Sequence, residues 1–236
     1  MNAMIFAAGL GTRLKPITDT MPKALVPVGG QPLLRHVLDK ISAAGVDRIV
    51  VNVHHFASQI VDYLKDTSVL ISDETSELLD TGGGLRKARP LFREGEPVMI
   101  HNVDILSNLD ISSLIVRTAH DAVLVVSERK TKRYLLFDAE MRLVGWTNIE
   151  TGEVKSPYND LDVSKCHKLA LAGIHVISPR LLAAMDSWPE RFSIIDFYLS
   201  QCRDYDIVGH VQSDLRLMDV GKIDTLGEAD EFIKTI

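Results

Sequence analysis

The sequence has little of what marks several common protein classes. Only two of its 236 residues are cysteine, Cys166 and Cys202, which are too few for a disulfide framework or a cysteine metal site. No apolar run approaches the roughly 20 residues that a helix needs to cross a bilayer. The formal net charge is −6 and there is no basic run, which argues against a general nucleic-acid surface. We therefore expect neither a membrane nor a nucleic acid as partner.

What remains is the composition of an ordinary globular domain, with 46% hydrophobic and 25% charged residues. There is no internal repeat and no low-complexity segment. The first residues form a strand-like run without the charged region and cleavage site of a secretory signal, so we expect a cytoplasmic protein. The length predicts one domain over residues 1–236, present as a monomer or a small homo-oligomer.

Strand-like and helical patterns alternate through the first half of the chain. This alternation predicts an α/β fold with a Rossmann-like, doubly wound and mainly parallel sheet. The strand-like runs are Ala3–Ala8, Arg48–Val53, Val69–Ser72, Pro97–Asn102 and Ala122–Val126. The helical patterns are Pro32–Ala44, Ala57–Lys65, Leu85–Phe92 and Leu114–His120.

The pattern changes over about residues 127–168. Tyr134–Phe137 and Leu143–Trp146 predict a β-hairpin, and the polar, turn-rich residues after it predict an inserted flap that is too small to form its own core. The run Leu169–Ile177 then predicts a return to the sheet. The remaining helices are predicted at Pro179–Met185, Ile194–Gln201 and Ile223–Ile233.

The first strand leads into a glycine-rich turn that carries fixed positive charge. Gly9 and Gly11 lie in the turn, and Arg13 and Lys23 follow them. Glycine lets a backbone approach a phosphate closely because it has no Cβ, and the N–H groups of such a turn cradle anions. Phosphate binding is therefore the first functional hypothesis.

Two common phosphate-binding motifs are excluded by the spacing. The chain has no G-x-x-x-x-G-K-[ST] run, so it has no Walker A loop. In the dinucleotide fingerprint G-x-G-x-x-G, the third glycine is replaced here by Leu14, and the second strand ends at Val53 without a carboxylate. A nicotinamide dehydrogenase is disfavoured on both counts.

The wider pattern resembles one enzyme family, the sugar-1-phosphate nucleotidyltransferases. The matching segments are Gly9-x-Gly11-Thr12-Arg13-Leu14-x-Pro16, Pro22-Lys23-x-Leu25-x-Pro27-Val28 and Pro32-Leu33-Leu34. The resemblance covers nearly the whole chain. The length and the Thr81-Gly-Gly-Gly segment resemble those of N-acetylmuramate-1-phosphate uridylyltransferases, and mannose- and heptose-1-phosphate nucleotidyltransferases are also similar.

The resemblance implies a magnesium site made by two carboxylates. Asp104 follows an apolar strand-like run, and Asp219 lies in Leu217-Met-Asp-Val-Gly-Lys, which is similar to the D-x-G segment of the family. Mg²⁺ binds oxygen ligands and usually keeps several waters, so two carboxylates plus substrate phosphates suit it. The chain departs from the family at Val103, where a glycine usually stands, and at Lys222, where threonine is common.

The implied reaction joins a nucleoside triphosphate to a sugar 1-phosphate. A phosphate oxygen of the sugar 1-phosphate attacks the α-phosphorus, and pyrophosphate leaves. A phosphate monoester is largely dianionic at neutral pH, so the reaction needs fixed positive charge rather than a general base. By resemblance, Arg13 binds the β- and γ-phosphates and Lys23 contacts the α-phosphate.

The resemblance also assigns the two ends of the substrates. The nucleotide contacts are expected at the turn and at the segment with the three glycines, namely Ala7, Ala8, Gly9, Gly11, Thr12, Arg13, Lys23, Asp80 and Gly82. The sugar phosphate is expected near Asn148, Gly173 and Asp196. The lysine that the family places near Asn148 is missing, and Lys155, Lys165 or Lys168 could replace it.

Three functions stay open at this point. The favoured pair of substrates is UTP with an N-acetylated amino sugar 1-phosphate such as N-acetylmuramate 1-phosphate, which would connect the chain to cell-wall precursors. The second is a guanylyltransferase acting on mannose 1-phosphate or heptose 1-phosphate. The third is a non-catalytic sensor of nucleotide sugars, which the joint presence of Arg13, Lys23, Asp104 and Asp219 disfavours.

Overall fold

The computed structural model describes residues 1–115, 117 and 119–236. The strands are β1 (Asn2–Phe6), β2 (Pro27–Val28), β3 (Gln31–Pro32), β4 (Arg48–Val53), β5 (Leu70–Asp73), β6 (Val98–Asn102), β7 (Ile105–Ser107), β8 (Ala122–Ser127), β9 (Arg133–Phe137), β10 (Leu143–Asn148), β11 (Glu153–Lys155), β12 (His167–Ile177), β13 (Ile207–His210) and β14 (Leu217–Asp219). The α-helices are α1 (Leu33–Ala43), α2 (Ala57–Leu64), α3 (Asp80–Ala88), α4 (Ile111–Ile115), α5 (Pro179–Ala183), α6 (Ile194–Gln201) and α7 (Leu226–Phe232). Short 3-10 turns lie at Thr12–Leu14, Ile17–Asp19, Lys23–Leu25, Arg89–Leu91, Val163–Lys165, Ala184–Ser187, Ile223–Thr225 and Ile233–Thr235.

Four parallel strands form the centre of the main sheet, in the order β5-β4-β1-β6. The chain first adds strands on one side of β1 and then crosses to the other side, so the strand order reverses beside β1. Ligands of open α/β sheets bind in the crevice outside the carboxyl ends of the strands at such a reversal. The carboxyl ends of β1 and β6 are therefore where the fold itself predicts a site.

An antiparallel region continues the same sheet. Strand β12 pairs with β6, β8 and β9, and the hairpin β9–β10 carries β11 at the sheet edge. Strand β13 pairs in parallel with β8. The predicted Rossmann-like fold class is confirmed, and the predicted hairpin forms. Its strand β9 is hydrogen-bonded to β12, so the hairpin extends the main sheet.

The two faces of the sheet are covered by separate apolar clusters. Ile5 and Val51 belong to one cluster, while Met4 and Val50 belong to the other, because successive side chains of a strand point to opposite faces. A third, smaller cluster lies beside the glycine-rich turn. Its buried members are Leu14, Val26, Val28, Leu33, Leu106, Val220 and Ala229.

Two of the helix predictions were wrong in their bounds. The helix expected over Leu85–Phe92 is α3, which begins at Asp80 and includes all three glycines. Glycine lowers helix propensity, and the sequence pattern therefore favoured a loop there. The helix expected over Leu114–His120 is α4, Ile111–Ile115. Residues 116 and 118, within the predicted range, lie outside the described residues.

Packing explains why α3 tolerates three glycines. A Cβ on Gly82 would collide with the ring of Phe192, and one on Gly84 would lie 2.6 Å from Oε1 of Glu74. The segment around Phe192 runs directly over the first turn of α3, where the N–H of Gly82 donates to the carbonyl of Phe192 at 2.9 Å. The glycines therefore make room for protein atoms. Within the described residues, no helix is both long and apolar enough to cross a membrane.

This packing predicts opposite effects for the same substitution in two helices. Gly82→Ala should lower the free energy of unfolding by about 1–3 kcal/mol, because a methyl group is forced against Phe192. Gly227→Ala, in α7, is the matched control: its Cβ would meet no heavy atom within 4 Å, and the higher helix propensity of alanine should stabilise by about 0.5–1 kcal/mol. Urea denaturation measures both. Equal stability of the Gly82→Ala variant and the wild type would contradict the packing described here.

Candidate active site

A cleft of about 520 Å³ opens at the carboxyl ends of β1 and β6, at the point where the strand order reverses. Most of the residues expected to bind the nucleotide line it, namely Ala7, Ala8, Gly9, Gly11, Thr12, Arg13, Lys23 and Asp80, and so does Asp104, one of the two expected metal ligands. These residues come from four separate segments of the chain. The parallel sheet brings them together because the strands β1, β4, β5 and β6 all end on this edge.

The glycine-rich turn is held in shape by its own backbone. Gly11 has φ +63°, which glycine adopts without strain, and its carbonyl accepts from the N–H of Leu14 at 2.9 Å and from Oγ1 of Thr18 at 2.8 Å. Leu14 is 1% exposed in the third apolar cluster. Because Leu14 points into that cluster, its neighbour Arg13 is directed to the cleft.

The two predicted metal ligands meet through a short antiparallel ladder. Strand β7 begins directly after Asp104 and pairs with β14, with Ile105 opposite Asp219. The N–H of Val220 donates to the carbonyl of Asp104 at 2.8 Å. Asp104 and Asp219 are 115 positions apart in the sequence, and this ladder makes them neighbours. Asp104 lines the cleft, whereas Asp219 does not and is represented there by Gly221, two residues later.

Lys23 is paired with one of the two carboxylates, and Arg13 lies near the other without forming an ion pair with it. Lys23 forms an ion pair with Asp104. A Cβ built on Gly221 would lie 2.7 Å from Oδ1 of Asp219 and 3.0 Å from Nη2 of Arg13, so Gly221 leaves the space in which the carboxylate and the guanidinium approach each other. The four residues that define the predicted chemistry therefore converge on one place.

Asp219 is electrostatically the least satisfied member of this group. Burial raises the pKa of its carboxyl, the nearby Asp104 carboxylate raises it further, and Lys23 and Arg13 oppose the rise. Among the described residues, its buried Oδ1 has no hydrogen-bond partner. A buried, unpaired carboxylate oxygen is costly, and its occurrence beside a second carboxylate indicates room for a cation.

The donor set fits a hard divalent cation. The described residues contain no group of three or more His, Cys, Asp or Glu side chains that could hold a metal by themselves. Mg²⁺, however, is usually bound by one or two carboxylates with substrate phosphates and waters completing its shell. Asp104 and Asp219 could supply that protein share.

A buried chain of hydrogen bonds, which was not predicted from the sequence, stabilises the floor of the first cleft. Oδ1 of Asn52 accepts from the N–H of Ala7 at 2.7 Å, and its Nδ2 donates to Oε1 of Glu74 at 2.7 Å. Oε2 of Glu74 accepts from the N–H of Leu79 at 3.3 Å. The chain ties the start of the glycine-rich turn to the start of α3. The available signal was a polar side chain near the end of each of two buried strand-like runs.

The residues expected at the nucleobase divide into two groups. Asp80 and Thr81 line the cleft, and Oδ1 of Asp80 accepts from the N–H of Thr81 at 2.6 Å, so this oxygen is already bonded to the neighbouring residue. Gly82 does not line the cleft, contrary to expectation. It is buried against Phe192, to whose carbonyl its N–H donates.

A second cleft, of about 540 Å³, lies between the hairpin and α6. It contains Asn148 and Asp196, both expected near the sugar phosphate. Alternation along the strands puts Trp146, Asn148 and Lys155 on one face, where Lys155 lies over the ring of Trp146 at 5.3 Å and pairs with Asp196 at 3.3 Å. An aromatic ring and polar side chains thus line the same side of the second cleft.

Gly173, the third residue expected at the sugar, lines neither cleft. It is buried with φ +74°, and a Cβ there would lie 2.7 Å from Nδ2 of Asn102. It occupies the irregular part of β12 between Leu171 and His175, where the pairing with β8 shifts register. The close approach of Asn102 therefore explains why position 173 is a glycine.

The fold and this cleft are those of a nucleotidyltransferase. Residues 3–160 match the MobA-like NTP transferase domain. The chain belongs to that family, and it is a sugar-1-phosphate nucleotidyltransferase.

Three relatives illustrate the family. The N-acetylmuramate alpha-1-phosphate uridylyltransferase of Caulobacter vibrioides is 32% identical over 222 residues, covering 88% of this chain and 86% of the relative. The mannose-1-phosphate guanylyltransferase 1 of Arabidopsis thaliana is 33% identical over 123 residues, 49% of this chain and 34% of the relative. The crystal structure of HddC from Yersinia pseudotuberculosis complexed with GMP-PN has the same fold, with a TM-score of 0.76 at 22% identity and 98% of both chains covered.

The buried chain through Glu74 generates a prediction. Glu74→Gln keeps the shape but replaces one acceptor oxygen by a donor, which must then face Nδ2 of Asn52 or the N–H of Leu79. Asn52 cannot invert its amide without losing the bond from Ala7. We expect a loss of about 1–3 kcal/mol in stability, measured by urea denaturation, and a higher KM for the nucleotide.

The matched control is Asp73→Asn, one residue earlier. Asp73 is exposed and its Oδ1 accepts from the N–H of Thr75 at 2.8 Å, a bond that the amide oxygen of asparagine can keep. Stability and KM should change little. A Glu74→Gln variant that matches this control would show that the buried chain does not support the cleft.

Proposed function

We propose that the chain transfers a uridylyl group from UTP to N-acetylmuramate 1-phosphate, with Mg²⁺, forming UDP-N-acetylmuramate and pyrophosphate. The convergence of Arg13, Lys23 and Asp104 on one cleft, with Asp219 next to Asp104 although it does not line the cleft, carries the proposal. The choice of substrates is supported by the Caulobacter vibrioides relative, whose similarity extends over 88% of this chain.

The reaction is a displacement at the α-phosphorus. A phosphate oxygen of the sugar 1-phosphate forms the new bond, the bond to the β-phosphate oxygen breaks, and pyrophosphate carries away the electron pair. No proton has to move, because the attacking phosphate is largely ionised at neutral pH. The work of the protein is to position two polyanions and to stabilise the leaving group electrostatically.

Arg13 and Lys23 provide the fixed positive charge. Arg13 has a planar set of donors that suits the β- and γ-phosphates, and the turn around Gly11 holds it at the cleft. Lys23 acts as a compact charge at the α-phosphate. Its ion pair with Asp104 holds the ammonium group in place and would be shared with the substrate when the nucleotide binds.

Asp104 and Asp219 would hold the Mg²⁺ ion, which supplies charge neutralisation for the phosphates when bound. The unpaired Oδ1 of Asp219 is the observation that supports this role. Asp104 also orients Lys23, because the two side chains form an ion pair.

The nucleobase and the sugar would occupy the two clefts. We assign the base to the main chain at Ala7, Ala8 and Gly9 in the first cleft, with Gly11 and Thr12 nearer the phosphates. We assign the sugar to the second cleft, where Asn148 offers hydrogen bonds and Trp146 an apolar ring. The segment containing Arg191, which lines the first cleft, and Ser193 and Asp196, which line the second, connects the two.

A substrate panel tests the proposal. Purified protein with Mg²⁺, four nucleoside triphosphates and a set of sugar 1-phosphates should release pyrophosphate fastest with UTP and N-acetylmuramate 1-phosphate. A preference for GTP with mannose 1-phosphate or heptose 1-phosphate would favour the guanylyltransferase alternative, supported by the Arabidopsis thaliana relative. Binding of nucleotide sugars without pyrophosphate release in any pair would favour a sensor.

The carboxylate pair predicts a large kinetic effect. Asp104→Asn and Asp219→Asn should each lower kcat by about 10²–10³-fold and should raise the Mg²⁺ concentration needed for half-maximal activity. The control is Asp39→Asn, which breaks only an exposed pair with Arg35 on α1 and should leave kcat unchanged. Retention of more than a third of wild-type kcat in Asp104→Asn would contradict the assignment.

Gly9 allows a test that separates binding from folding. A Cβ there would meet no protein atom within 4 Å, and Gly9 lines the first cleft. Gly9→Ala should therefore leave the unfolding midpoint in urea unchanged or higher, while the KM for the nucleoside triphosphate rises about tenfold because the methyl group takes up ligand space. An unchanged KM would show that the nucleotide does not approach Gly9.

A further inference from the structure

The second cleft lacks the lysine that the family resemblance led us to expect for the sugar phosphate. The aligned positions are Asn148 and Ile149, and Ile149 is an exposed apolar residue. Two repelling phosphate groups must nevertheless meet near Asp104 and Asp219. If the proposed function holds, some other cation has to bind the phosphate of the sugar 1-phosphate.

The three lysines considered as replacements are poorly placed. Lys155 is paired with Asp196 and held over the ring of Trp146. Lys165 pairs with Asp162 at 3.4 Å and lines a third cleft on the far side of the hairpin segment. Lys168 lies on β12 opposite Leu136 and lines neither the first nor the second cleft.

Arg129 is placed differently. It follows β8 and lines the second cleft, and its Nη2 donates to the carbonyl of Leu171 at 3.1 Å. Leu171 stands at the start of the irregular part of β12, two residues before Gly173, which contacts Asn102 of the first cleft. Arg129 is therefore anchored in the second cleft, beside the part of β12 that approaches Asn102 of the first cleft.

The charge of Arg129 is also available. Among the described residues it forms no ion pair, and one bond to a carbonyl leaves most of its N–H groups free to bind an anion. A guanidinium group matches the geometry of a phosphate and can donate two parallel hydrogen bonds.

We propose that Arg129 binds the phosphate of the sugar 1-phosphate and thereby takes the place of the missing lysine. This inference rests on the proposed function in one respect only, namely that a sugar 1-phosphate is the acceptor. The backbone bond to Leu171 fixes the guanidinium before the substrate arrives, so little side-chain entropy is lost on binding.

The test is steady-state kinetics of Arg129→Gln with N-acetylmuramate 1-phosphate and UTP. The KM for the sugar 1-phosphate should rise 10- to 100-fold, while the KM for UTP should stay within a factor of two. Arg129→Lys should recover part of the loss, and added guanidinium ion should partly rescue Arg129→Gln. The control is Lys130→Gln, which removes a positive charge from the next residue of the same loop without touching either cleft lining.

Three results would overturn the inference. One is an unchanged KM for the sugar 1-phosphate in Arg129→Gln. Another is an equal rise for UTP and the sugar 1-phosphate, which would indicate a general structural role. The third is a loss in Arg133→Gln, the other arginine of the second cleft, that exceeds the loss in Arg129→Gln. Circular dichroism and the unfolding midpoint identify a variant that has not folded, for which Arg129→Lys provides the comparison.

The outcome is separable from that of the proposed function. A wild-type protein that ignores N-acetylmuramate 1-phosphate but uses another sugar 1-phosphate refutes the substrate assignment. The same variants are then compared with the accepted sugar 1-phosphate, because every acceptor of this class carries the phosphate that Arg129 is proposed to bind.

Discussion

The short ladder between β7 and β14 is the constraint on which the candidate site depends. It pairs Ile105 with Asp219 and adds the bond from Val220 to the carbonyl of Asp104. Without it, the segment that carries Asp219 has no reason to lie at the carboxyl end of β6. Burial raises the pKa of the Asp219 carboxyl, and the Asp104 carboxylate that the ladder brings beside it raises the pKa further. A buried pair of carboxylates makes the place suitable for a cation.

The third apolar cluster explains how such a charged arrangement is kept in register. Leu14 from the glycine-rich turn and Val220 from the end of β14 are both buried in it, together with Leu106 of β7. Leu14 directly follows Arg13, Val220 directly follows Asp219, and Leu106 lies two residues after Asp104. This small cluster therefore fixes the spacing of Arg13, Asp104 and Asp219. The buried hydrogen bonds of Asn52 and Glu74 stabilise the opposite side of the first cleft in the same way.

The antiparallel half of the sheet forms the second cleft, next to the parallel half that ends at the first cleft. The strands β6, β1, β4 and β5 end at the first cleft. Strand β12 continues the sheet from β6 into the hairpin that forms the second cleft. The irregular pairing of β12 near Gly173 is the bend between the two. It explains why Gly173 serves the packing of Asn102, and why Arg129, which is bonded to Leu171 at that bend, is the cation we connect with the sugar phosphate.

The sequence alone determined the alternation of strands and helices and the glycine-rich turn, because hydrophobic periodicity and short spacing are local properties. The choice of Arg13, Lys23, Asp104 and Asp219 as site residues rests on the resemblance to the family. The sequence did not reveal that the three glycines of α3 make room for Phe192 and Glu74, nor that Arg129 reaches Leu171. Those facts depend on contacts between residues 10 to 110 positions apart, which leave no local pattern. The tertiary structure decided them, since the pairing of β8 with β12 brings Arg129 to Leu171 and the packing over α3 brings Phe192 to Gly82.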